Sequence, residues 1–245
     1  MLRNLSLQYF FMFSATYNLY RNAYSGLTRR VWLLALVMLI NRSGTMVLAF
    51  MTLYITHIGY SLKLAGLVVG IYGIGSLLGA FIGGKISDRF GFYYTQFFSL
   101  FFGGVLFIVL GQMRSYVSIC TCTFFLAMVN ESFRPANATA IAHYSTAQSR
   151  TQAFSLVRLA INLGWGVGGA LGGFLAILNY HLLFWVDGFT NITAAILMLL
   201  LLPKVSLAQQ QNLHTANTVK TNARSPLHDR TFLYFIGLQI LFAMC

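Results

Sequence analysis

The chain reads as a succession of long apolar stretches separated by short polar connections. A helix needs about 20 mostly apolar residues to cross the hydrocarbon core of a bilayer, and such runs are the strongest local signal of a spanning helix. Six runs qualify: Val31 to Thr56, Leu64 to Ile86, Thr95 to Met113, Tyr116 to Asn137, Ala153 to Leu178 and Leu182 to Leu202. Beyond them the segment 203–230 turns polar, rich in Asn, Gln and Thr, and reads as a linker. A seventh apolar run, Thr231 to Cys245, supplies about 15 residues, too few at 1.5 Å rise for a core roughly 30 Å thick. The pattern therefore predicts an all-α, polytopic membrane protein: a segment 1–30, a six-helix transmembrane bundle over 31–202, the linker 203–230 and an incomplete seventh helix over 231–245. The last run is expected to be a helix cut short in a fragment of a longer protein; a re-entrant or partner-completed helix is the alternative.

Composition agrees with this pattern. Hydrophobic residues make up 58% of the chain and charged residues 8%, against about 25% charged in an ordinary globular protein. That is too little polar sequence to coat a soluble domain. The formal net charge of +12 raises the question of a nucleic-acid partner, and the placement of the basic residues answers it. With a cytoplasmic N-terminus, Arg3, Arg21, Arg29, Arg30, Lys85, Arg89, Arg150, Lys204, Lys220, Arg224 and Arg230 all lie inside, whereas Lys63 and Arg114 lie outside. This is the positive-inside asymmetry of a multi-pass protein, whose cytoplasmic loops face an anionic leaflet. No nucleic acid is implied. The aromatic-rich residues before Leu27 include an apolar stretch, Leu7 to Phe13, too short to span, which reads as an interfacial cytoplasmic segment rather than a cleaved signal peptide.

Cys120 and Cys122 sit two apart on a predicted helix, on different faces, and Cys245 is the last residue, so neither a disulfide framework nor a metal site follows. The spans carry no nucleophile with a base and no cluster of metal ligands, so an enzyme, a metal and a cofactor are not expected. Two spans carry glycines with a period of four: Gly75, Gly79 and Gly83 in the second, and Gly164, Gly168 and Gly172, followed by Gly173, in the fifth. Small residues at that spacing let helices approach closely in lipid, so both faces want a partner helix.

Between the second and third runs stands Gly84-Lys85-Ile86-Ser87-Asp88-Arg89-Phe90-Gly91-Phe92-Tyr93. It resembles the G-x-x-x-D-R-x-G-R-R loop of major facilitator superfamily transporters: Gly84, Asp88, Arg89 and Gly91 match, and Phe92 and Tyr93 replace the basic pair. In the fifth run, Gly164 to Gly173 resembles that family's antiporter-associated G-x-x-x-G-P-x-x-G-G pattern, with Gly169 in place of proline. Arg134 stands where the family often carries a membrane-embedded arginine. The resemblance covers all six runs. It implies the N-terminal half of such a transporter, with Asp88 latching the two halves together on the cytoplasmic face.

Charges at membrane depth cost several kcal/mol unless paired or hydrated, so each one marks a candidate site. Arg42 falls near the middle of the first run, where no carboxylate is evident, and is expected on the substrate or proton pathway, holding an anionic substrate group or the counter-charge of a protonatable site. Glu131 and Arg134 are three apart on one face of the fourth run, in its cytoplasmic third, and Arg158 falls in the same third of the fifth. Glu131, Arg134 and Arg158 are expected to form one network, either as a proton or substrate pathway or as a permanent structural salt bridge. Glu131 is expected to be the one acidic residue deep in these spans, so carboxylate-based proton coupling would fall to it. Asp187, with His181 and Trp185 nearby, is expected to cap or anchor the outer interface, and His143 to lie in a loop.

The resemblance implies a secondary active transporter of small molecules that works by alternating access. Its expected partners are the lipid bilayer, a small-molecule substrate, protons and a C-terminal six-helix half. Proton-coupled efflux of a drug or metabolite across a bacterial inner membrane is the family-level expectation. A truncated or transport-inactive membrane receptor or scaffold is the alternative.

Overall fold

A computed structural model describes residues 24–205 together with Leu233, Tyr234 and Leu238. Residues Met1–Ser206 belong to one compact unit and Leu207–Cys245 to a second. The interfacial segment expected before Tyr24 and the linker expected beyond Val205 lie outside the described residues. Of the seventh apolar run, Leu233, Tyr234 and Leu238 are helical.

The described part of the first unit is all helical: α1 (Arg29–Ser43), α2 (Val47–His57), α3 (Leu62–Phe90), α4 (Phe92–Gln112), α5 (Tyr116–Glu131), α6 (Phe133–Tyr144), α7 (Arg150–Leu178) and α8 (Tyr180–Leu201). They make six helices long and apolar enough to cross a membrane, because α1 with α2 and α5 with α6 each form one span with an internal break. The ends differ from the apolar runs in an instructive way. Helix α3 continues through Asp88 and Arg89, so the motif between the second and third spans is mostly the last turns of a helix. The fourth span continues past Asn137 to Tyr144, which puts His143 on a helix, its ring 5.2 Å from that of Phe92, rather than in a loop. Hydropathy fades before a helix stops, because hydrogen bonding carries the backbone on into the interface.

Two connections are single residues. Gly91 closes α3 and opens α4 at φ +91° and ψ 149°, a conformation that favours glycine. Asn179 does the same between α7 and α8 in extended backbone, its side chain accepting from the His181 N–H. Phe92 and Tyr93, which replace the expected basic pair, are fully buried: Phe92 packs edge-on against Tyr144, and the Tyr93 hydroxyl donates to the Leu202 carbonyl at 3.4 Å. At these positions the chain has exchanged surface charge for core.

The spans measure 29, 29 and 21 residues in the first three and 29, 29 and 22 in the last three. The closest partners are the first span with the fifth, the second with the fourth, and the third with the sixth. Exchanging the two triplets maps this pairing onto itself. The glycines explain how the pairs close. A Cβ on Gly75 would stand 2.6 Å from the Phe124 carbonyl oxygen, one on Gly79 2.8 Å from the Met128 backbone, and one on Gly83 2.6 Å from the Ser132 side chain. In the mirrored pair, Gly164 meets Arg42 and Leu39, Gly168 meets the carbonyls of Arg42 and Ser43, and Gly172 meets Met46 and Phe50. Gly173 is the exception: nothing lies within 4 Å of its Cβ position, because one residue beyond Gly172 points about 100° away around the helix. In the third pair Gly104 and Gly188 abut each other's carbonyls.

The interior falls into two apolar clusters. One gathers Val31, Leu34, Met38, Phe92, Phe133, Tyr144, Val157 and Met198 at the end carrying Arg29, Arg30, Lys85, Arg89 and Arg150, here called the basic end. The other gathers Met46, Val47, Met51, Tyr54, Ile55, Val68, Phe107, Ile119 and Phe184 at the end carrying Lys63 and Arg114. Between them lies a buried polar layer of Asn41, Glu131, Asp187 and Asn191.

Candidate functional site

This layer sits where two spans break. In the first span α1 stops at Ser43 and α2 restarts at Val47. An unbroken helix would join the N–H groups of Met46 and Val47 to the carbonyls of Arg42 and Ser43. Instead both turn to the Asp187 carboxylate of α8: Met46 N lies 3.0 and 2.9 Å from its two oxygens, and Val47 N donates to Oδ2 at 2.7 Å. Asp187, with no exposed surface, thus caps the N-terminus of α2 inside the bundle, where the helix dipole also favours a negative charge. Neighbouring groups fix the register. The Asn41 side chain donates to Asn191 at 2.8 Å, Asn191 donates to the Asp187 carbonyl at 2.7 Å, and Gly44 leaves room for Thr190.

The fourth span breaks for a covalent reason. Pro135 has no N–H to give the Glu131 carbonyl, and its ring crowds that carbonyl, so α5 ends at Glu131 and α6 begins at Phe133. At the break the Ser132 hydroxyl lies 3.0 Å from the Gly79 carbonyl and 2.8 Å from that of Met128.

Three of the expected site residues meet here. Glu131 Oε2 pairs with Arg134 Nε at 2.8 Å, the Glu131 side chain 11% exposed and that of Arg134 68% exposed. Arg42 lies within electrostatic reach of Glu131, Arg134 and Tyr72, and its buried Nε meets no acceptor among the described residues. Tyr72 in turn lies against the Asn130 side chain.

The depths correct several expectations. Because the fourth span runs on to Tyr144, Glu131 stands about 20 Å from the basic end, level with Arg42, rather than in the cytoplasmic third. Arg158 is only about 12 Å from that end, exposed, and in no ion pair among the described residues, so it does not join Glu131 and Arg134. Asp187, about 21 Å from the basic end, is a second deep acid and caps an internal helix rather than the outer interface. Carboxylates therefore do stand at the depth of Arg42. His181 does serve the opposite end of the bundle, its Nδ1 2.8 Å from the Gly111 carbonyl, and Trp185 stacks on Phe189. The Asp187 role was not readable from local sequence. An acid inside an apolar helix was the signal, but its partners are 140 and 141 residues away.

At the basic end, Asp88 and Arg89 are exposed on the last turn of α3, with Arg89 beside the Phe90 ring at 5.5 Å and Lys85 over the Phe81 ring at 4.4 Å. Asp88 forms no ion pair among the described residues. Helix α7 is uninterrupted through Gly169, consistent with the missing proline.

Such a bundle, with paired triplets and charged breaks at mid-depth, is the architecture of a membrane transporter domain. The Major Facilitator Superfamily model matches residues 31–245, and the chain belongs to that family. It is 28% identical over 185 residues to Multidrug resistance protein 2 of Bacillus subtilis (strain 168), covering 73% of this chain and 45% of that protein. Its fold is similar to crystal structures of the peptide transporter POT. A mutant of that protein in complex with sulfate matches with a TM-score of 0.63 and 18% identity, over 90% of this chain and 46% of the other. A complex of the mutant with alafosfalin matches at 0.62 and 17%, with the same coverage. The chain spans about half the length of these relatives.

Proposed function

We propose that the chain is the first six-helix bundle of a secondary active transporter of small molecules that works by alternating access. The observation that carries this reading is the pair of breaks, which bring Arg42, Glu131 and Arg134 to one depth at mid-bundle. Broken helices at the bilayer midplane free backbone groups and admit charges that an intact span would exclude, which is what a substrate site needs. The spans differ in burial in a way that supports a second bundle: the second and fifth are 22% and 17% buried, against 44–50% for the others. Their open faces suit docking of a C-terminal six-helix half. Asp88, exposed at the basic end and free of an ion pair among the described residues, is positioned to latch onto such a half, with Gly84, Arg89 and Gly91 shaping its turn. Basic residues crowd one end, which supports a cytoplasmic N-terminus. The Bacillus relative supports a bacterial plasma membrane and efflux of drugs or metabolites.

In this reading Glu131 is the proton-coupling carboxylate, because Asp187 is held by two backbone N–H groups. The test is flux in membrane vesicles holding the intact protein, driven by an imposed pH gradient and read with a panel of fluorescent drugs and labelled metabolites. Gradient-dependent flux that Glu131→Gln uncouples is the expected result. No flux for any compound would leave a non-transporting receptor or scaffold.

A further inference from the structure

The charges at the breaks are not paired one to one. Asp187 is fully engaged, its oxygens taken by Met46 and Val47 and its charge set against the α2 dipole. Glu131 is paired with Arg134 at 2.8 Å. Two guanidiniums, Arg42 and Arg134, therefore share the one carboxylate that backbone N–H groups leave free. Arg42 is the less well served of the two: its Nε is enclosed yet meets no acceptor among the described residues. Arg158 lies nearer the basic end and adds no counter-charge. Tyr72, the other neighbour that senses Arg42, is neutral.

We propose that the substrate carries an oxyanion, a carboxylate or phosphate group, and that Arg42 receives it at the first-span break; this rests on the transport reading above. An under-paired cation at this depth costs several kcal/mol, and an arriving oxyanion lowers that cost. The guanidinium fork matches carboxylate and phosphate geometry in a way an ammonium does not. Arg134, its side chain 68% exposed at the neighbouring break, gives the approach a second positive group. A neutral or cationic substrate would leave Arg42 as it stands, half-buried and with its Nε unpartnered. The Asp187 cap has a part in this specificity, because it holds open the break whose last helical turn carries Arg42.

The test uses the intact protein in detergent and follows its thermal unfolding at constant ionic strength, with sodium chloride as reference. Sodium benzoate and sodium phosphate are the oxyanion probes, benzamide is the neutral isostere of benzoate, and tetraphenylphosphonium is the cation. At least one oxyanion is expected to raise Tm, with affinity about tenfold or more above that of the neutral or cationic probe, and Arg42→Gln is expected to abolish that shift. Which of benzoate and phosphate acts distinguishes a carboxylate from a phosphate substrate. Should Arg42→Gln fail to fold, Arg42→Lys, which keeps the charge and loses the fork, is expected to weaken the shift. The proposal is overturned if no oxyanion stabilises the protein, if tetraphenylphosphonium stabilises it in preference, or if the oxyanion shift survives at Arg42→Gln. Vesicle flux separates the two readings. Anion binding without flux of any compound retains Arg42 and sinks transport; flux of neutral or cationic compounds alone retains transport and sinks the Arg42 assignment.

Discussion

Removing the carboxylate of Asp187 tests whether the first span is held open by a residue of the sixth. In Asp187→Ala the N–H groups of Met46 and Val47, now bonded at 2.7 to 3.0 Å, lose their acceptor in a place with no exposed surface. Each orphaned buried donor costs about 1–3 kcal/mol, so the pair costs roughly 2–6 kcal/mol. Asp187→Asn keeps one acceptor oxygen but turns an NH2 toward an N–H, and should fall between the native protein and the alanine variant. For a chain of this size a loss of that order lowers Tm by on the order of 10 °C. The assay is thermal unfolding of the purified protein in detergent, followed by helix circular dichroism. An alanine variant that melts within about 2 °C of the native protein would refute the cap, since even one orphaned donor should exceed that. The same melt would show that α2 can find its acceptors elsewhere, for example by reforming the bonds to Arg42 and Ser43 in a straight span.

The remaining predictions follow from other contacts. Gly79→Ala should destabilise the bundle by about 1–3 kcal/mol, because its methyl meets the Met128 backbone rather than a flexible side chain, whereas Gly70→Ala, with nothing within 4 Å, should be neutral or slightly favourable; parallel melts decide. Asp88→Asn should abolish transport while leaving expression and melting unchanged, since the side chain is exposed and unpaired in the bundle; normal flux by that variant would remove the latch. Arg158→Gln should change Tm by less than about 0.5 kcal/mol equivalent and leave substrate affinity intact, as expected of an exposed residue outside the Glu131 pair; a large affinity loss would restore it to the site.

Sequence alone determined the number of spans and the end that gathers the basic residues, and the motifs around Asp88 and Gly164 pointed to the family. These are one-dimensional properties. Transfer of about 20 apolar residues into lipid is favourable whatever they touch, and cationic loops resist translocation. The glycine period also announced close helix contacts, and Gly75, Gly79, Gly83, Gly164, Gly168 and Gly172 make them. What the tertiary structure decided is which helices those glycines meet and what happens inside the first and fourth spans. Pro135 carried a local hint of a break, since a missing N–H is written in the residue itself. The first-span break carried no such mark: it is held by a carboxylate 140 residues away. The depth of Glu131 depended on where the fourth span ends, and that end is set by backbone hydrogen bonds rather than by hydropathy. Whether Arg42 has a counter-charge likewise depends on how helices far apart in sequence share one layer, because burial and pairing belong to the packed bundle.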